Sequence, residues 1–331
     1  MHQKTCAHLF FYFYRSFFSS DRQLCMTDID QIQINFSQDQ LGLLNFILAF
    51  ILFGVALDLR LKDFKRVFLE PRSALAGFIS QYLFLPLLTL GMILLFKPPP
   101  SLALGMVLIS VCPGGNISNF MVHLSRGNIA LSVTLTSIST LGAILITPLT
   151  FTFWSSFVPQ AQELRASIYV EPAQLFQTII QLILIPVVLG MATNHFFPKL
   201  AFWLHRPTRI LSLLIFVGFI LAAVYGNWEN IQNYLSLIFL LVFIHNALAM
   251  AGGYYIPRFF KRPVVDARAI AMETGIQNTG LGLILVFNFF DGLGGMALVL
   301  AWWGIWDLIS SFALGLWWNR VHPESVEKLK S

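Results

Sequence analysis

The 331-residue chain is 56% hydrophobic and only 11% charged, whereas an ordinary soluble domain is roughly 25% charged. This composition excludes a soluble globular fold, a disordered chain and a coiled coil, because too few polar residues are present to cover a surface in water. It predicts an all-α polytopic membrane protein. The net charge of +5 is small, so no nucleic-acid partner is expected.

The first 40 residues are predicted to form an N-terminal tail that is poorly ordered or lies at the membrane interface. Residues 9–18 are rich in aromatics but too short to span, and Arg15 interrupts them. No small-residue cleavage site typical of a signal peptide follows. Met26 begins a polar leader of ordinary composition, so both Met1 and Met26 are candidates for the first residue.

Nine apolar stretches follow the tail, and a transmembrane helix needs about 20 such residues. The first stretch is short but could be extended N-terminally through polar residues. We expect a transmembrane domain over residues 41–320 and a cytoplasmic tail over residues 321–331. The stretches are 41–57, 73–96, 98–125, 127–154, 172–198, 210–228, 230–257, 269–290 and 292–319.

Lysine and arginine alternate between the connecting loops, which predicts the orientation in the cell membrane. Sixteen of the 21 lie in alternate loops and the C-terminal tail, among them Arg268, and five lie in the opposite loops and the N-terminal tail. The positive-inside rule therefore places the C-terminus in the cytoplasm and the N-terminus outside.

Two of the nine spans contain residues that interrupt a helix. In the third, Pro113 removes a backbone donor, and Gly114 and Gly115 permit non-helical dihedral angles. In the eighth, glycines including Gly280 alternate with amides after Glu273. Irregular backbone inside a membrane must be surrounded by protein or water, and a matched pair of broken helices indicates the binding site of a secondary transporter.

The broken spans are five apart, so they cross the membrane in opposite senses. Spans one to four and six to nine are therefore predicted to form inverted repeats, with two discontinuous helices that cross. The alternative is that the glycines only permit close helix packing. That alternative explains Gly252 and Gly253, but not the carboxylate and amides beside the breaks.

Only two acids, Glu273 and Asp307, lie inside the apolar stretches. The nine predicted spans contain no lysine or arginine that could form an ion pair with them. Because a buried charge needs a partner, a cation from solution is the natural counter-ion. Hard cations prefer oxygen ligands. The candidate sodium ligands are Gln81, Ser118, Asn119, Ser132, Thr136, Glu273, Gln277 and the main-chain oxygens of Thr274 and Ile276.

Spacing adds two expectations to this ligand set. Ser132 and Thr136 are four residues apart, as are Glu273 and Gln277, so each pair is expected on one helix face. Other polar residues are expected to be structural: Ser137, Ser139 and Thr140 bond back to the preceding turn, and His245 and Asn246 form hydrogen bonds between helices.

Residues 105–140 (GMVLISVCPGGNISNFMVHLSRGNIALSVTLTSIST) and 273–283 (ETGIQNTGLGL) resemble the two long motifs of the bile acid:sodium symporter family. Gln81 and the His245-Asn246 pair also match family positions. The resemblance covers roughly residues 41–320. It implies a core domain and a panel domain, in the nine-helix form that lacks the first panel helix.

The resemblance also implies two sodium sites bridged by Glu273. The first would use Ser118, Asn119, Ser132, Thr136 and Glu273, and the second Gln81, Glu273, Gln277 and the oxygens of Thr274 and Ile276. An organic anion, either bile-acid-like or a smaller carboxylate, would bind near the crossing of the broken helices. Its expected contacts are Asn116, Asn278 and Asp307. Asn116 and Asp307 stand where the family often has other residues, so substrate choice is expected to differ.

These observations predict a sodium-coupled symporter that works by alternating access and is not an enzyme. Its partners would be sodium, the anion and the lipid bilayer. No cofactor or transition metal is expected, since Cys6, Cys25 and Cys112 form no metal or disulfide pattern. One alternative is a proton-coupled transporter using Glu273 and Asp307. A second alternative is a membrane-embedded enzyme, although the sequence contains neither the HExxH nor the GxSxG motif. A third is a sodium-dependent receptor that does not transport its ligand.

Overall fold

The computed structural model describes residues 29–30, 38–57, 71–115, 117–161, 180–204, 207–208, 210–211, 214–215, 218 and 228–321. Helices joined by short turns make up these residues, and the β structure among them is one isolated bridge. Expectations for most of the tail 1–40, for residues after Val321 and for Asn116 lie outside this set. The predicted spans 172–198 and 210–228 are only partly within it.

We number the principal helices of the described chain in order. They are α1 (Gln38–Ala56), α2 (Pro71–Phe96), α3 (Pro100–Val111), α4 (Ile117–Leu124), α5 (Ile129–Ser155), α6 (Ile180–Phe196), α7 (Trp228–Phe259), α8 (Val264–Gly275), α9 (Thr279–Phe289) and α10 (Gly294–Val321).

Within the described residues, α2, α5, α10 and the Leu237–Phe259 part of α7 are long and apolar enough to cross a membrane. Shorter apolar helices include α3 and α9, which are the halves of broken spans. The chain is therefore a multi-pass membrane protein. The count of nine spans and the division into core and panel stay predictions.

A π-helical turn interrupts α2 at Ser80–Phe84, immediately before Pro86. Proline has no N–H to donate to the preceding turn, so the regular hydrogen-bond ladder fails there. The wider turn buries the consecutive side chains of Ser80 and Gln81. A similar π turn at Ile180–Leu184 precedes Pro186 in α6.

Both predicted interruptions are present. The first separates α3 from α4 between Val111 and Ile117, and the second separates α8 from α9 between Gly275 and Thr279. The prediction that Gly280 contributes to the break is wrong, because Gly280 lies in the first turn of α9. Asn278 begins that helix instead, since its side-chain oxygen accepts the N–H of Leu281 at 3.0 Å.

The first half of the third span is packed inside protein. Helix α3 is buried at every position from Ser101 to Val111, so its apolar surface faces other helices rather than lipid. Close packing elsewhere depends on glycine, as the alternative interpretation of Gly252 and Gly253 proposed. A side chain at Gly252 would collide with the ring of Phe84, and a Cβ at Gly253 would lie 2.7 Å from the Cα of Ala271.

The prediction that Arg268 lies in a cytoplasmic loop is wrong. It lies within α8 with none of its surface exposed. Its guanidinium donates to the main-chain oxygen of Ser125 at 2.8 Å and lies 5.8 Å from the ring centre of Trp318. The cation therefore meets the carboxyl end of α4, where the helix dipole favours positive charge.

Candidate functional site at the crossing of the broken helices

The backbones of the two interruptions pair with each other. The N–H of Gly115 donates to the oxygen of Ile276 at 2.9 Å, and the N–H of Asn278 donates to the oxygen of Pro113 at 2.9 Å. Gly114 and Gln277 thus form an antiparallel bridge. Each break satisfies polar groups that the other frees, which an apolar membrane requires.

The carboxylate of Glu273 lies beside this bridge and is only 4% exposed. Its Oε2 accepts hydrogen bonds from Ser118 at 2.6 Å, Thr136 at 3.0 Å and Ser132 at 3.4 Å. Its Oε1 is buried without a hydrogen-bond partner in the described structure. Helices α4 and α5 therefore surround one oxygen with hydroxyls and leave the other available to a ligand.

Gly114 makes room for this carboxylate. A Cβ at position 114 would collide with Oε1 and lie 2.6 Å from the carboxyl carbon of Glu273. Glycine is thus required here by the close approach of a side chain from the other broken helix. The prediction that Ser132 and Thr136 share one face of α5 is confirmed, because their hydroxyl oxygens lie 3.4 Å and 3.0 Å from the same carboxylate oxygen.

A second polar group lies where α2 meets both interruptions. The side-chain amide of Gln81 donates to the main-chain oxygen of Cys112 and to the side-chain oxygen of Gln277, both at 2.8 Å. Gln277 in turn donates to the oxygen of Thr274 at 2.7 Å. The expectation that Gln277 shares a helix face with Glu273 is wrong, because α8 ends at Gly275. Its amide meets α2, whereas the carboxylate meets α4 and α5.

The remaining predicted sodium ligands lie close to these two groups. Asn119 accepts a hydrogen bond from Ser132 at 2.8 Å, which places it beside the hydroxyls around Glu273. The main-chain oxygens of Thr274 and Ile276 flank the second break, and each already accepts one hydrogen bond. A carbonyl oxygen has a second lone pair, so both retain capacity for a cation.

Two of the predicted substrate residues can be placed, and Asn116 lies outside the described residues. Asn278 is partly buried at the start of α9. Asp307, on α10, is 2% exposed, and Gly304, one turn earlier on α10, packs closely against Thr279 at the start of α9. Both residues therefore meet the second interruption.

The flanking polar residues behave only partly as expected. His245 hydrogen-bonds Thr89 of α2 at 2.7 Å, and Asn246 donates to the oxygen of Gly275 at 2.8 Å, so this pair does connect helices. Ser139 bonds back to Thr136 at 3.1 Å. The same expectation for Ser137 and Thr140 is wrong, because their buried hydroxyls have no hydrogen-bond partner in the described chain.

Ser80 was not among the sequence candidates. Its hydroxyl lies 2.9 Å from that of Thr274, so it joins α2 to the second broken helix. The π turn before Pro86 brings it there. A proline six residues downstream of a serine in an apolar span was the available signal, and it is a weak one.

The ligand chemistry of this region is that of a hard monovalent or divalent cation. Carboxylate, hydroxyl, amide and main-chain oxygens converge, and such oxygens suit hard ions rather than soft transition metals. In the described part of the chain, no three His, Cys, Asp or Glu side chains come together. Among the residues that the structure describes, no lysine or arginine balances the charge of Glu273 or Asp307.

Comparison with known proteins identifies the family of the chain. The sequence profile of the Sodium Bile acid symporter family matches residues 45–234. The chain belongs to this family. The members of this family are sodium-dependent transporters. The buried oxygen cluster around Glu273 therefore lies in a protein of a sodium-coupled transport family.

Similar curated proteins come from a bacterium and from plants. An uncharacterized sodium-dependent transporter, YocS of Bacillus subtilis, is 34% identical over 274 residues, which are 82% of this chain and 82% of YocS. A probable chloroplast sodium/metabolite cotransporter, BASS2 of Oryza sativa, is 31% identical over 77% of this chain and 62% of its own length. A probable cotransporter of Arabidopsis thaliana, BASS1, is 29% identical over 85% of this chain and 67% of its own length.

Proposed function

We propose that this chain is a sodium-coupled symporter of a small organic anion, bile-acid-like or carboxylate, and is not an enzyme. The observation that carries the proposal is the buried carboxylate of Glu273. It has hydroxyls on one oxygen and, among the residues that the structure describes, no partner on the other oxygen and no basic residue to balance its charge. Leaving a buried charge uncompensated is costly, and a bound sodium ion removes that cost.

The proposed ion sites adjoin each other across Glu273. Ser118, Asn119, Ser132 and Thr136 would hold one sodium, and Gln81, Gln277 and the oxygens of Thr274 and Ile276 would hold another. Bound sodium would strengthen the connection between the two breaks. The amino-terminal end of α9, which carries partial positive charge, then favours the negative group of a substrate.

Transport would follow alternating access in the cell membrane. Spans one to four and six to nine act as inverted repeats within residues 41–320, and a core that contains the crossing moves against a panel. The N-terminus lies outside and the tail 321–331 inside. Each net positive charge carried inward gains about 2.3 kcal/mol per 100 mV of membrane potential.

The direct test uses sodium as the probe. Sodium, compared with potassium at equal ionic strength, should raise the melting temperature of the purified wild-type protein, because a ligand of the folded state stabilises it. Glu273→Gln, which removes the charge and keeps the shape, should abolish that difference and also abolish uptake driven by a sodium gradient in proteoliposomes. Gly91→Ala is the matched control, because nothing lies within 4 Å of the added Cβ.

Full sodium-driven uptake by Glu273→Gln would refute the assignment. Uptake driven by a pH gradient in the absence of sodium would favour proton coupling through Glu273 and Asp307. Sodium-dependent binding of a substrate without flux would favour a receptor.

A further inference from the structure

A buried acid outside the ion site joins the amino-terminal ends of three helices. Asp266, in the first turn of α8, is only 4% exposed. One oxygen of its carboxylate accepts the hydroxyl of Ser73, in the first turn of α2, at 2.6 Å. The other oxygen accepts the side-chain amide of Asn128, which caps α5, at 2.8 Å. Both oxygens of this carboxylate therefore hold neighbouring helices.

Further contacts strengthen this group, which we call the anchor cluster and define as Ser73, Asn128, Arg262 and Asp266. The guanidinium Nε of Arg262 donates to the hydroxyl of Ser73 at 2.9 Å, and the backbone N–H of Asn128 donates to the oxygen of Val265 at 2.9 Å. Helix dipoles favour a carboxylate at amino-terminal ends, and hydrogen bonds to a charged group are stronger than those between neutral groups. The anchor cluster is thus a firm connection between α2, α5 and α8.

The three helices that meet at the anchor cluster also carry proposed sodium ligands. On each helix, one ligand follows its anchor residue by seven or eight positions: Gln81 after Ser73, Thr136 after Asn128, and Glu273 after Asp266. This spacing corresponds to about two helical turns, or roughly 10–12 Å. The anchor cluster and the ion site are therefore two levels of one contact among the same three helices.

The packing between the two levels leaves the helices little freedom to slide. A Cβ at Gly77 of α2 would lie 2.7 Å from the side chain of Leu135 on α5. The hydroxyl oxygens of Ser80 on α2 and Thr274 on α8 are 2.9 Å apart. Because closely packed interiors transmit strain rather than absorb it, a shift of the helices at the anchor cluster should move the oxygens around Glu273.

We propose that Asp266 is a positioning residue for the ion site. Its carboxylate keeps α2, α5 and α8 in register, so that their oxygens converge around Glu273 and the second interruption. It lies about two turns from Glu273 and acts through the helices, without contact with the ion. This inference rests on the proposed function, because it explains how the same sodium site is kept in shape.

The test measures equilibrium binding of radioactive sodium to the purified protein, which gives the dissociation constant and the binding capacity separately. Asp266→Asn keeps the shape of the side chain, but its amide nitrogen cannot accept a hydrogen bond. The dissociation constant for sodium should rise about tenfold at unchanged capacity, which is within the range of coupling through packed networks. Ser73→Ala removes one bond and retains the charge, so a rise of about threefold is expected.

Two further variants serve as rescue and control. Asp266→Glu retains the charge and both acceptor oxygens, so it should bind sodium more tightly than Asp266→Asn. Ser125→Ala removes a buried hydroxyl that bonds back to Val122 at 3.0 Å, outside the anchor cluster, and should bind sodium as the wild-type protein does.

The two measured quantities separate positioning from folding. A variant that is only less stable would lose binding capacity and keep the dissociation constant of its folded fraction, and that result would overturn the proposal. A rise in Asp266→Asn with none in Ser73→Ala would assign the effect to charge alone and also overturn it. If Asp266→Asn does not fold, Ser73→Ala decides by itself. A wild-type protein that binds no sodium would instead refute the proposed function, and this inference with it.

Discussion

The two interruptions at the centre of this protein have different compositions and different roles. The first, around Pro113, Gly114 and Gly115, contributes main chain and space. The second, around Glu273 and Gln277, contributes the carboxylate and an amide. A helix can be broken by proline and glycine alone, but an ion site also needs charged and polar side chains. The protein divides these two tasks between two crossing helices.

The division explains why neither interruption forms the site alone. The hydroxyls around Glu273 come from α4 and α5, and the amide that meets Gln277 comes from α2. Each break therefore depends on the other for hydrogen bonds, and a change in one should be detectable as a change in ion binding at the other.

The largest effect is expected from filling the space at the first interruption. Gly114→Ala places a methyl group against Oε1 of Glu273, and overpacking of a buried site costs about 1–3 kcal/mol. Sodium affinity, measured from thermal stabilisation by titrated sodium, should fall about tenfold to a hundredfold. Gly91→Ala, at an exposed helical position with open space, should retain the wild-type affinity. Equal affinities for all three proteins would show that space at Gly114 is irrelevant.

A somewhat smaller effect is expected from the hydroxyl that the first broken helix contributes. Ser118→Ala removes the shortest hydrogen bond to Glu273, at 2.6 Å, and a hydrogen bond to a charged group is worth about 1.5–3 kcal/mol. Sodium affinity should fall about tenfold, which corresponds to the lower end of this range, and less for Ser132→Ala, whose hydroxyl is 3.4 Å from the carboxylate. Ser110→Ala is the control, because Ser110 bonds only within α3. A greater loss in Ser132→Ala than in Ser118→Ala would contradict this ranking.

The smallest effect should come from the amide pair that joins α2 to the second interruption. Gln81→Leu, Gln277→Leu and the double variant form a double-mutant cycle on unfolding free energy in detergent. Hydrogen bonds between membrane helices give coupling energies of about 0.6 kcal/mol on average, with a maximum near 1.7 kcal/mol. Because Gln81 and Gln277 make two amide–amide contacts, at 2.8 and 3.3 Å, a coupling towards the upper end is expected. A coupling energy of zero would mean that the contact contributes nothing to holding the breaks together.

Much of the centre of the fold could be predicted from sequence, because its causes are local. Pro113, Gly114 and Gly115 cannot continue a regular helix with lipid around it, and a lone Glu273 among apolar residues requires a partner. The four-residue spacing of Ser132 and Thr136 predicts that their hydroxyls lie on one helix face. The prediction is correct because α5 is a continuous helix there. In each case, neighbours within one or two turns decide the outcome.

The wrong predictions concern places where the helix ends or where distant segments meet. The four-residue spacing predicts that Gln277 shares a helix face with Glu273, but α8 ends two residues before Gln277. The glycine pattern predicts a break at Gly280, but the cap formed by Asn278 restarts the helix before it. The charge pattern predicts that Arg268 lies in a loop, but Arg268 lies within α8, in contact with Ser125 and Trp318. None of these contacts can be inferred from residue spacing.

The sequence by itself determined the membrane class, the two interruptions and the acid that needs a counter-ion, since hydrophobicity, proline and buried charge act over a few residues. Only the tertiary structure decided that the interruptions pair with each other, that Gly114 faces Glu273 and that Gln81 bonds Gln277. These contacts join residues more than 25 positions apart, and their geometry depends on how whole helices pack.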